Sequence, residues 1–169
     1  MAAKIVPVPE TNASKYFSHR EAWGRIKRSI AHGFYLEAVT LEESVISDRL
    51  QTYFRKTGVL DPESKKFISL GKFIELLMKH EPDPICDPIR EPRFTNLQQS
   101  LLDWKNDRNH VVHGIVKSSG DVHDDVLDFF KAAERIAKDG ALIAESVNNW
   151  YRRYKDRQKA EARKLAKIS

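Results

Sequence analysis

Residues 108–114, Arg108-Asn109-His110-Val111-Val112-His113-Gly114, are the stretch of this chain whose side chains could do chemistry together. A guanidinium is permanently cationic and grips a phosphate through paired N–H donors. An imidazole changes charge in the physiological range and can move a proton. Cleavage of a phosphodiester by a neighbouring ribose hydroxyl asks for both functions: a cation on the scissile phosphate and a group that takes or gives a proton. Asn109 and His113 are four positions apart, so a helix puts them on one face, where the amide could orient the ring. Arg108 and His113 are five apart, which is about 140° around a regular helix. One chain would therefore point them in different directions. Three arrangements would still bring them together: a bent Arg side chain, a helix that ends early near Val112, or two chains pooling their residues across a two-fold axis.

The element that carries these residues is legible. Leu97, Leu101, Trp104 and Val111 recur at helical spacing and predict a helix from about Thr95 to His113, with Gly114 as its stop. Arg108 falls four after Trp104 and three before Val111, on or beside the apolar stripe. A guanidinium there needs a partner: a carboxylate, a second subunit or a phosphate. Asp103, five residues back, and Glu42-Glu43 on an earlier helix are candidates, although all three read first as solvent-facing charge. Asp107 is expected to pair with a surface Lys, and His110 to contact RNA or solvent. His110, His113 and His123 lack the spacing of a metal site, and the chain has no glycine-rich phosphate loop, so neither metal nor cofactor is expected.

Around that helix the chain reads as all-α, a bundle of about five helices with a long last one. Residues 1–12 form an extended, Pro-containing arm. A first helix starts at the Asn12/Ser14 cap and runs to about His32, with Tyr16, Phe17, Trp23, Ile26 and Ile30 at helical spacing before Gly33. A second covers about Tyr35 to Lys56, and Thr57-Gly58 ends it. A third covers about Lys66 to Lys79, with Phe67, Leu70, Phe73, Ile74 and Leu77 on one side. Pro82, Pro84, Pro88 and Pro92 exclude a regular helix over 82–92 and predict a surface segment. The last helix starts near Asp121–Asp125 and reaches about residue 165. Its stripe is Leu127, Phe130, Ala133, Ala137, Gly140, Ile143, Val147, Trp150 and Tyr154, with small residues that admit close approach of a partner helix in this chain or in a second subunit. The domain is expected to span residues 13–150, with 151–169 as a basic extension of the last helix.

At 169 residues with 41% hydrophobic content, one domain with a proper core is the expectation. The single Cys86 excludes an intramolecular disulfide and a cysteine zinc site. With no apolar leader and no run long enough to span a bilayer, a cytoplasmic location is expected. The net charge is +5, yet Arg152, Arg153, Lys155, Arg157, Lys159, Arg163, Lys164 and Lys167 face only Asp156 and Glu161 over residues 151–169. The basicity is therefore local, and Arg152, Arg153, Lys155 and Arg157 beside Tyr151 and Tyr154 are candidate contacts to a nucleic-acid backbone.

Arg108-Asn109-x-x-x-His113, with a polar residue after the Arg, resembles the Arg-x(4–6)-His signature of the HEPN superfamily over residues 101–117. The resemblance implies a small all-α bundle and a metal-independent endoribonuclease that works as a homodimer, as in toxin–antitoxin, abortive-infection and other antiviral systems. It implies that Arg108 binds the scissile phosphate, Asn109 orients, and His113 carries protons, giving a 2′,3′-cyclic phosphate and a 5′-hydroxyl. An antitoxin protein or small RNA is an expected partner, and no membrane is. The alternative it leaves open is a non-catalytic module that holds a structured RNA.

Overall fold

The computed structural model describes residues 12–64, 66–83, 85, 95–114 and 126–166. These form five helices: α1 (Asn12–Ala31), α2 (Tyr35–Lys56), α3 (Leu70–His80), α4 (Leu97–Gly114) and α5 (Val126–Leu165). No strand occurs among the described residues, so the chain is all-α with a long C-terminal helix. The arm at 1–11, most of the Pro-rich segment with Cys86, and the stretch with Lys117, Asp121 and His123 lie outside the described residues, as do the side chains of Tyr16, Phe17 and Leu127. None of the five helices is long and apolar enough to cross a membrane.

Local chemistry sets the boundaries. Gly33 has φ 77°, a left-handed conformation that closes α1 and lets the Phe34 N–H donate to Ser29 O at 2.8 Å. α2 ends the same way, with Gly58 at φ 75°. α3 begins four residues later than the sequence predicts. Ser69 has an extended backbone (φ −70°, ψ 155°), and its side chain accepts from the Lys72 N–H. A side-chain oxygen that satisfies a first-turn N–H fixes the start, whatever the apolar pattern upstream. Phe67, expected in the core stripe, is consequently 88% exposed. Asn96 caps α4 by accepting from the Gln99 N–H at 3.0 Å. The buried Gln98 beside it ties down the chain after α3: its Nε2 donates to Glu81 O and Asp83 O, and its Oε1 accepts from the Ile85 N–H, each at 2.8 Å.

α5 packs most extensively on α2 and also meets α4 and α1. The partner helix is thus within the chain. α2 and α5 run in the same direction: Arg49 donates to Asn148 at 2.9 Å, and the Tyr53 ring packs on Trp150 and Tyr154 with centroids 4.6 and 4.9 Å apart. Ala133, Ala137, Gly140, Ile143, Val147 and Trp150 are buried as their spacing predicts. Phe130 departs from that pattern and is 51% exposed, whereas Ile136, Ala144 and Tyr151 are buried. A helix covered on three sides buries a wider face than one stripe, and its first turns extend past that cover.

Closest approach falls at Gly140, where an added Cβ would overlap Glu42 Oε2 and lie 2.7 Å from Trp104 Nε1. Glu42 is fully buried, and neither carboxyl oxygen has a hydrogen-bond partner among the described residues. Burial pushes its pKa up to about 9, so the group is protonated at neutral pH.

Candidate functional site

α4 brings the residues of the motif to one end of the bundle. Leu97, Leu101, Trp104 and Val111 are buried, and the Trp104 Nε1–H donates to Ile136 O on α5 at 3.0 Å. The same stripe carries Arg108 inward, leaving its side chain 16% exposed. The partner that such a guanidinium requires is a carboxylate, Glu43 on α2. Arg108 Nη2 pairs with Glu43 Oε1, whose side chain is 31% exposed. This corrects the reading of Glu43 as part of a solvent-facing acidic stretch; it lies on the side of α2 that meets Arg108 of α4. Glu42, read in the same way, is in the core.

Asn109 is half-buried, and its Oδ1 accepts from Arg108 Nη1 at 2.8 Å. The amide therefore orients the guanidinium rather than the His113 ring. Two of the three guanidinium nitrogens are held in this way, and Nε is buried without a partner among the described residues. Asp103 plays no part here: it is exposed and accepts from Gln99 at 2.8 Å. Asp107 pairs with Arg135 of α5 at 3.0 Å rather than with a Lys, and Arg135 also meets Asp139 at 3.6 Å.

α4 stays helical through Gly114, so an early end near Val112 does not reconcile Arg108 with His113. His110 and His113 are both exposed, and neither has a hydrogen bond or ion pair to another described residue. Arg108 and His113 thus keep the angular separation expected of a regular helix, one turned inward and the other outward. Among the described residues no group of three or more His, Cys, Asp and Glu could hold a metal ion.

The basic residues of the C-terminal part sit on the last turns of α5. Arg152 and Arg157 are exposed, and Arg153 and Lys155 are half-buried. Tyr151 is buried beneath two cations: the Arg49 guanidinium lies 5.4 Å and the Lys155 ammonium 5.8 Å from its ring centroid. Sequence reading missed Arg49, which belongs to α2 and comes close only through the parallel packing of α2 on α5.

No protein-family model matches the chain, and no curated protein or solved structure matches it either.

Proposed function

We propose that the chain is a metal-independent endoribonuclease of the HEPN type, acting as a toxin or antiviral effector through a composite site shared by two copies. The observation that carries this reading is Arg108. It is a guanidinium drawn into an apolar stripe, oriented by Glu43 and Asn109, with its Nε buried and without a partner among the described residues, little more than one helical turn from an exposed His113. In the reaction Arg108 would bind non-bridging oxygens of the scissile phosphate. The 2′-oxygen attacks phosphorus as His113 takes its proton. The P–O5′ bond breaks, and the 5′-oxygen leaves with a proton, giving a 2′,3′-cyclic phosphate and a 5′-hydroxyl. In-line attack needs an unstacked, flexible ribose-phosphate, so single-stranded RNA is the substrate class.

The reaction benefits from both a base and an acid, and one chain supplies one His113. A second copy adds the other and can bring its outward His113 to an inward Arg108. Phe130, half exposed at the α5 end that lies beside the last turns of α4, offers apolar surface for that second copy. The Arg108–Glu43 pair also favours a second reading, in which the ion pair locks the bundle and the protein binds RNA without cutting it.

Incubation of labelled single-stranded RNA in EDTA with wild type and with His113→Ala separates the two. Cleavage by wild type alone, with the cyclic phosphate end, supports the enzyme. Equal cleavage by both assigns the activity elsewhere. RNA retardation without cleavage by either protein favours the binding module.

A further inference from the structure

The end of α2 and the last turns of α5 enclose a groove of about 380 Å³ lined by Lys56, Tyr154, Lys155, Gln158, Lys159 and Ala162. Three lysines from two helices line one cleft, and no carboxylate is among its lining residues. Lys155 and Lys159 are four apart on α5, where like charges repel. Burial and the charges of Lys56, Lys159 and Arg49 push the Lys155 pKa down, with Asp156 alone acting the other way. The carbonyl end of α2 favours Lys56, its last residue, but that fixed dipole fades within a turn and does not offset the three lysines of the groove. The cluster is built on rigid elements. Arg49 is fixed by Asn148 and by the Tyr151 ring, and Tyr154 packs edge-on against Tyr53. Cations held together in a groove, rather than splayed on a surface, gain free energy from an anion that several of them share.

The lysines also have the layout of a strand-binding surface. Lys155 and Lys159 are about 6 Å apart along the α5 axis, and Lys56 flanks them from α2, so the charge forms a short track rather than a point. Tyr154 adds a neutral donor, and Gln158, whose Nε2 donates to Glu161 at 3.4 Å, has a second amide N–H to offer. Lys56 lies thirteen residues beyond Glu43 on the same helix, about 20 Å along its axis, so the groove is separate from the Arg108 site of its own chain.

We propose that this groove binds the phosphate backbone of single-stranded RNA, with Lys56, Lys155 and Lys159 as phosphate contacts and Tyr154 and Gln158 as hydrogen-bond donors, so that the RNA is anchored away from the atoms that cut it. The choice of RNA as the polyanion rests on the ribonuclease reading; the groove and its charge do not.

The test uses the full chain carrying His113→Ala, so that binding is read without turnover, and a labelled single-stranded RNA followed by fluorescence anisotropy over a salt series. Replacing Lys56, Lys155 and Lys159 together by Gln should weaken binding at least tenfold at low salt. It should also reduce the slope of log K against log salt by about 2, since each single-strand phosphate contact contributes about 0.7. Replacement of the same three by Arg should keep both. Unchanged affinity and slope in a Gln variant with native circular dichroism would overturn the proposal, as would equal loss in the Arg variant, which would make the effect one of packing. Displacement of the RNA by polyglutamate or anionic vesicles as readily as by unlabelled RNA would overturn the choice of RNA. The two readings fail separately. Wild-type cleavage with unaltered binding in the Gln variant sinks the groove alone, and absent cleavage with lost binding sinks the nuclease alone.

Discussion

Replacing Glu42 by Gln should shift the stability balance steadily toward the variant as pH rises from 5 to 9. Burial raises the folded-state pKa of Glu42 from an ordinary 4.5 to about 9. The folded protein therefore holds a proton that the unfolded chain releases over that interval. Stability supplied by the protonated group is fully present below pH 4.5 and is lost as pH rises toward 9. The loss is about 1.4 kcal/mol per pH unit, so about 3 kcal/mol has gone at pH 7 and about 6 kcal/mol at pH 9. Against a total stability of about 5–15 kcal/mol, one carboxyl group sets much of the alkaline limit of this fold. Gln is nearly isosteric with the protonated acid and cannot ionise, so it removes the slope. It brings an extra N–H that also lacks a partner, a penalty of about 1–3 kcal/mol at every pH. The decisive quantity is thus the change in the difference with pH, not its level. Urea unfolding of both proteins at pH 5, 7 and 8.5, followed by circular dichroism, should show the difference shifting in favour of the variant by about 1.4 kcal/mol per unit. Parallel pH profiles would refute the reasoning, because they would mean that Glu42 ionises without a folding penalty.

Two further substitutions probe the same junction from its other sides. Gly140→Ala places a methyl group on Glu42 Oε2 and against Trp104 Nε1, so α5 must move away from α2 and α4. A net loss of about 2 kcal/mol is expected despite the higher helix propensity of Ala, seen as a melting temperature lower by about 4–8 °C; an unchanged melting curve would show that the contact yields freely. On the ribonuclease reading, Glu43→Gln should reduce RNA cleavage about 10- to 100-fold by loosening Arg108, and stability should fall by about 1–3 kcal/mol because the largely buried guanidinium loses its counter-charge but keeps an acceptor. Cleavage rates and urea unfolding measured on the same preparations check this, and an undiminished rate would remove Glu43 from the positioning of Arg108.

What the sequence reveals here depends on whether one element or two decide the outcome. The bounds of α2 are readable because its stripe and the glycines on either side agree. The start of α3 is misread because Phe67 and Ile68 extend an apolar pattern, whereas one capping oxygen on Ser69 ends it. That Arg108 is misplaced on an apolar face can be seen from α4 alone. Its partner cannot, since the choice between Glu43 and other acids depends on where the bundle places α2 relative to α4. Glu42 does leave a signal: it stands three after Val39 and four before Ile46, on the buried stripe. The separation of Arg108 from His113 follows from helix geometry, and α4 keeps it. The groove between α2 and α5 has no local signature, because Lys56 and Lys155 are joined only by parallel packing.

Glu42 and Glu43 are the same residue type at adjacent positions, about 100° apart on α2, and their surroundings divide their roles. Glu42 faces α5 at Gly140, finds no hydrogen-bond partner among the described residues, and is neutral because it keeps its proton. Glu43 faces α4 and meets Arg108. Ionisation of Glu42 would put a second negative charge within a residue of the first, in a medium where such charges act strongly. Arg108 has one carboxylate and one amide as its partners among the described residues. Those two contacts fix the direction of the guanidinium, on which the proposed phosphate contact depends.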